Sequence, residues 1–382
     1  MTRRRKTLVA VVAAFVVAGL VVAKPVVDHA RAAAVLTRLA GIEEGALANF
    51  GRHPIEERSF DMADGSVTVR ARYYVPVGVT NPPGVVVLHG VHRSGIDEPR
   101  LVKFARTFAA EGILVLTPEL EEVKDYRIEP RSLGTIQSAV KTLSDQLGSR
   151  RVGVMGLSFA GGLALRALGT APASHKVGAV LAIGAHHDLE RVLRFFATGT
   201  IPRPDGTVLT MPPHEYGPFV LVYSHAEDFF PVADVPAARE SLRAWLREDR
   251  DGARTLAASL SPEGREILSR LFDGKVSTFA PRMLAEAERY RSLEGQVSPS
   301  GHLGDGSARV FLLHGDHDSV IPPTETLWLA KEVPEARLGG ALVSPVLTHV
   351  ELGSGPKVSD RLDLVRLVAS YLVALDAMND RR

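Results

Sequence analysis

The 382-residue chain has no cysteine, which excludes disulfides, thiolate metal sites and a cysteine nucleophile together. It also lacks an excess of charge of either sign. Its 45 lysines and arginines against 44 aspartates and glutamates leave a formal net charge of +1, so no global field recruits nucleic acid or an anionic surface. The 13 histidines nowhere show the helical two-histidine spacing of a zinc hydrolase. The adjacent pair His186 and His187 reads as an extended segment, whose side chains point to opposite faces, so neither a metal nor a cofactor is expected. What is present is ordinary globular material, 45% hydrophobic and 23% charged, enough for one large domain with an insertion or for two domains. The composition leaves the oligomeric state open.

The N-terminus differs in kind from the rest. Arg3, Arg4, Arg5 and Lys6 precede an uncharged apolar stretch from Thr7 to Ala23, closed by Lys24 and Pro25. The stretch lies at the short end of what spans a bilayer and is longer than most signal-peptide cores, while the basic flank should stay in the cytoplasm. Residues 1–24 therefore read as an uncleaved membrane anchor with the rest of the chain extracytoplasmic; cleavage after Ala23 would instead give a secreted protein. Residues 25–54 read as a helical linker, with Ala30, Ala33, Ala34, Leu36, Leu39 and Ala40 forming an apolar stripe.

Beyond the linker, strand and helix patterns alternate. Ile55 to Phe60 and Ser66 to Val75 flank an Asp64-Gly65 turn and predict a hairpin. Apolar runs at Gly84–Leu88, Ile113–Thr117, Arg151–Leu157, Val177–Ile183, Ala308–Leu313 and Ala336–Leu342 predict strands. Helices are expected over Pro99–Glu111, Thr135–Leu147, 160–169, Glu325–Lys331 and Asp360–Leu375. Such alternation implies a mostly parallel sheet covered on both faces, which binds ligands at the carboxyl ends of its strands. One segment breaks the pattern. Residues 189–307 hold Pro/Gly-rich stretches and helical patterns at Val235–Glu248, Ser261–Leu271 and Ala280–Leu293, and read as a cap inserted into a core of residues 55–188 and 308–378.

Residues 151–162 predict a buried strand, a turn of small residues carrying Ser158, and a helix. Gly156 before the serine and Ala160, Gly161 and Gly162 after it let strand and helix approach closely, which holds the serine on a sharp bend above a helix N-terminus that favours negative charge. By itself such a junction serves a nucleophile, binds a phosphate or simply turns a corner. A nucleophilic serine needs a base, and the base works better with a carboxylate to orient it. Both types stand downstream at strand ends: Asp316 and Asp318 after the run Val310–Leu313, and His349 after the last strand.

Over roughly residues 55–375 this order of serine, acid and histidine resembles the α/β-hydrolase fold superfamily, with the insertion where that family carries its cap. The resemblance implies Ser158 as nucleophile, Asp318 as the acid of a His-Gly-x-x-Asp turn, and His349 as base. It further implies an oxyanion hole built from the backbone N–H of Phe159 and, after His89-Gly90, that of Val91. His89 is expected to hydrogen-bond its own loop, while His92 and Arg93 meet either solvent or an acidic or polar group of substrate. Two features depart from the family pattern: Ala160 stands for the second glycine of Gly-x-Ser-x-Gly, and the oxyanion loop lacks the His-Gly-Gly-Gly run. The implied activity is hydrolysis of a small acyl substrate, a carboxylic ester before a peptide or thioester, with a non-catalytic binding module as the alternative from another class.

Overall fold

The computed structural model describes residues 24–169, 172–289, 291–304, 306–347 and 357–379; the anchor expected over residues 1–24 lies outside it except for Lys24. No described helix is long and apolar enough to cross a membrane.

Eight strands form the central sheet: β1 (Ile55–Asp64), β2 (Val67–Pro76), β3 (Gly84–Leu88), β4 (Leu114–Pro118), β5 (Val152–Leu157), β6 (Val177–Ile183), and, after the insertion with its own β7 (Thr200–Pro202) and β8 (Val208–Thr210), β9 (Arg309–Gly315) and β10 (Leu338–Ser344). Their spatial order is β1-β2-β4-β3-β5-β6-β9-β10. Only β2 runs against its neighbours, pairing antiparallel with both β1 and β4, while every other contact is parallel. The β1–β2 hairpin turns at Gly65, whose φ of +64° is the left-handed conformation that glycine adopts without cost.

The parallel strands are apolar throughout because both faces are covered. Val85 and Val87 enter the core on one face; Val86 and Leu88 enter the core on the other. Each such side chain, fully buried, contributes roughly 1.5–3 kcal/mol relative to exposure. One face packs on Pro99–Ala110 and Val358–Asn379, the other on Arg131–Gln146 and Phe159–Gly169. The insertion's apolar residues, Phe195, Phe219 and Leu268 among them, are continuous with the second of these cores.

Several expectations need correction. Residues 24–39 form a helix, but its continuation to residue 54 is not helical, and the helix does not serve as a spacer. Ala32 and Val35 are buried in the core, Arg31 pairs with Asp376 at 2.6 Å, and Arg38 pairs with the buried Glu111. The alanine stripe thus faces the domain. The last strand begins two residues late because Glu335–Arg337 close a 3-10 turn first. The insertion holds more structure than its periodicity shows: the β7–β8 hairpin, and helices Leu189–Thr198, Tyr216–Ser224 and Arg250–Ala257. Tyr216–Ser224 is apolar around most of its circumference and carries Pro218 in its first turn, so it has no amphipathic period to read.

Candidate active site

β5 ends at Leu157, and the helix Phe159–Gly169 begins two residues later, leaving Ser158 alone to make the corner. It does so at φ +56°, a left-handed conformation that costs a serine roughly 1–2 kcal/mol and persists only where the surroundings enforce it. They do. The Ser158 N–H donates to the carbonyl of Ile183 at the end of β6 (2.7 Å), and the Gly161 N–H donates to the Ser158 carbonyl (2.9 Å). The helix starts so close under the strand that a Cβ at Gly156 would lie 2.5 Å from the Cα of Gly161. That contact also explains the first departure from the family pattern. The residue pressed against the strand is Gly161, one position later than the motif places it, so Ala160 is accommodated fully buried.

The loop after β3 closes against the same corner. A Cβ at Gly90 would lie 3.3 Å from that of Ser158. His89, fully buried, fixes the loop from below: the Leu120 N–H donates to its Nε2 (2.9 Å), so Nδ1 carries the proton and donates to the Gly90 carbonyl (2.9 Å). Burial pushes the pKa of this ring down and keeps it neutral. From above, the Tyr216 hydroxyl of the insertion donates to the Val91 carbonyl (3.0 Å), and burial holds that phenol well above its ordinary pKa. Core and insertion therefore grip the loop together.

Two strands away from β5, β9 delivers Asp318 to the same carboxyl edge of the sheet. Its side chain is buried, and its Oδ1 accepts the backbone N–H groups of Val320 (2.9 Å) and Ile321 (3.0 Å). The Nε2–H of the equally buried His314 donates to the Ile321 carbonyl (2.8 Å), with Asp318 Oδ2 3.3 Å from the same nitrogen, while Thr326 Oγ1 lies 2.7 Å from Nδ1. Asp316 instead faces outward, against the exposed His317. His349 lies outside the described residues, as do residues 348–356 around it.

Strand order with a single antiparallel second strand, a left-handed serine after the fifth strand, and a buried aspartate after the strand that follows the insertion decide the architecture. This is the α/β-hydrolase fold. The sequence matches no family model and no curated protein. Solved structures of related shape include acylaminoacyl peptidase from Pyrococcus horikoshii (11% identity, 84% of this chain on 41% of that one, TM-score 0.49). They also include an esterase from Pyrobaculum calidifontis (16% identity, 90% of each chain, TM-score 0.45) and dienelactone hydrolase from Anabaena variabilis (24% identity, 36% of this chain on 67% of that one, TM-score 0.32). The chain spans about two fifths of the length of the acylaminoacyl peptidases it matches.

Ser158 borders a cavity of about 390 Å³ whose floor is Gly90, Val91 and Leu157 and whose roof comes from the insertion, with Tyr216 and Trp245. A second, more apolar cavity of about 440 Å³ lies beside it, with Tyr216 on the wall of both and Phe159, Leu193 and Phe196 among its lining. Two cavity residues escape a reading of the sequence. Tyr126, at φ +60°, fixes the roof by donating to the Leu246 carbonyl (3.1 Å), and Arg250 stacks on Trp245. No local pattern marks either, because each acquires its role from residues far away in the chain.

His186 and His187, adjacent in the sequence, part company. His186 turns inward to the Val297 carbonyl (3.2 Å), and His187 reaches Glu332 (2.6 Å).

Proposed function

We propose that the chain is a serine hydrolase of carboxylic esters, with Ser158 as nucleophile, His349 as base and Asp318 as the acid that orients it. The observation that carries this reading is Ser158 itself: a strained left-handed serine, packed against Gly90 and bordering a cavity, is a conformation a mere corner does not need. In the proposed first half-reaction His349 takes the Ser158 proton as Oγ attacks the ester carbonyl. The oxyanion is met by the N–H of Phe159, free of an intrahelical partner at a helix start, and by that of Val91. Collapse of the tetrahedral species returns the proton to the leaving alcohol and leaves an acyl-serine. Water, activated by the same base, then releases the acid and restores Ser158. The buried ring of His89 and the Tyr216 hydroxyl support the rigidity this requires, since both hold the Val91 loop without using its N–H groups.

Fluorophosphonate labelling with p-nitrophenyl ester turnover tests the reading. Wild-type protein is expected to label at Ser158 and to cleave short esters, and Ser158→Ala to lose both, with a rate lower by several orders of magnitude. An unlabelled wild type that cleaves esters no faster than Ser158→Ala overturns it. We further propose that residues 1–24 hold this domain at the outer face of a membrane. Docking of helix 24–39 onto the core then leaves little slack between bilayer and domain. An intact N-terminus in the membrane fraction is expected; a mature start at Lys24 in soluble extract would sink this placement.

A further inference from the structure

Ester hydrolysis needs a nucleophile, a base and oxyanion donors, yet the cavity beside Ser158 also carries four arginines: Arg93 on the oxyanion loop, Arg100, and Arg247 and Arg250 from the insertion. Their partners differ. Arg100 donates to Glu98 (2.6 Å), a carboxylate that also accepts the N–H of Leu101. Arg93 donates to a backbone carbonyl, that of Arg247 (2.6 Å), and among the described residues no carboxylate lies within ion-pair distance of either Arg93 or Arg247. Arg250 gives one edge, Nη2, to Glu215 (3.1 Å), while its Nη1 is buried with no acceptor among the described residues. The guanidinium lies 3.8 Å over the ring of Trp245, which is itself stacked on Phe272 at 4.1 Å. Trp245 is 7% exposed, and its Nε1 is likewise buried without an acceptor.

Both orphaned atoms on this wall are N–H donors, and a buried donor left unmade keeps its full desolvation cost. The acids do not redress the balance. Glu98 and Glu215 are already engaged by arginines, and Glu248, exposed at the cavity's edge like Arg93, Arg100 and Arg247, leaves the four arginines in excess by one. We infer that this wall is an anion subsite and that the ester brought to Ser158 carries a carboxylate, received by Arg250 and Trp245 with Arg93 of the same cavity. A guanidinium donates charge-assisted hydrogen bonds to a carboxylate, which a neutral ester group of the same shape cannot replace. This deepens the hydrolase reading and rests on it for the word ester; the anion subsite itself rests on the arginine wall.

The test compares charged and neutral esters of matched shape. p-Nitrophenyl hydrogen adipate is set against its methyl ester, which places the carboxylate on the acyl side, and para-acetoxybenzoate against methyl para-acetoxybenzoate, which places it on the leaving group. In at least one pair the wild type is expected to favour the charged member by about tenfold or more in kcat/KM, and less so at high salt. Arg250→Met should lower that ratio about tenfold, and Arg93→Met should lower it as well, which keeps the test readable if one variant fails to fold. Arg58→Met, an exposed position on β1, should leave the ratio alone. Ratios near one in both pairs, or ratios untouched by both cavity variants, overturn the anion subsite while leaving ester hydrolysis in place. If no ester is cleaved and Ser158 does not label, the hydrolase reading fails separately. Calorimetry with para-acetoxybenzoate then decides the subsite: binding that is lost in Arg250→Met upholds it, and no binding by the wild type overturns it.

Discussion

Acidification should loosen the serine corner through His186, a residue with no part in the proposed reaction. It follows β6 at the active edge of the sheet, is 0% exposed, and packs its ring 5.5 Å from that of Phe159. A Cβ at Gly162 would lie 2.3 Å from the ring, so the helix that starts at Phe159 is fitted around it. Nε2–H donates to the Val297 carbonyl, the last residue of the insertion's final helix, and Nδ1 is buried without a donor to accept from. Burial outweighs the attraction of Glu325 and Asp188 and pushes the pKa from its ordinary 6.5 down to about 4.

The sign follows from where the proton binds. Between these two values the unfolded chain takes up a proton that the folded chain refuses, so stability is complete above about pH 6.5 and drains away as pH falls toward 4. Integrating between about pH 7.5 and about pH 5 gives a loss of about 2 kcal/mol from this one ring. His89, His92 and His225 are shifted the same way by burial, so the wild-type profile alone does not isolate the effect. His186→Gln does, since its amide can still donate to Val297 and does not titrate. Urea unfolding of both proteins at the two pH values, followed by circular dichroism, should show the wild type losing about 2 kcal/mol more than the variant. Equal losses would refute the reasoning, because they would mean that the folded protein accepts the proton at His186 as readily as the unfolded one.

Two further outcomes discriminate between neighbouring residues. Asp318→Asn should lower kcat by about a thousandfold or more, because the orienting charge is lost while the backbone N–H groups of Val320 and Ile321 still find an oxygen; Asp316→Asn should stay within about threefold of wild type in the same ester assay. Gly156→Ala should cost more than about 3 kcal/mol in urea unfolding or abolish soluble expression, since its new methyl meets backbone at 2.5 Å, whereas Ala160→Gly should cost about 1 kcal/mol in helix propensity and keep fluorophosphonate labelling.

What could be read from the sequence was whatever a short stretch of chain decides for itself. In a doubly covered sheet a strand must be apolar at every position, so β3, β5, β6 and β9 announce themselves, and the turn at Ser158 follows from the small residues on either side of it. The run of small residues Ala160, Gly161 and Gly162 was legible as a close approach; that Gly161 is the one pressed against β5 depends on how the helix settles, which the Gly156–Gly161 contact reveals. The alanine stripe of the first helix was legible as an apolar face. Its destination was not, since the carboxylates that hold it, Glu111 and Asp376, stand far along the chain. The same division runs through the site. Ser158 and Asp318 sit at strand ends, where local sequence and topology jointly place them. The wall that would choose the substrate is made where Arg93 meets the Arg247 carbonyl and Tyr126 meets that of Leu246, more than a hundred residues apart in each case. On the proposed reading, residues 245–250 choose the substrate without carrying the chemistry, because the loop they touch is also held by His89 from the core side.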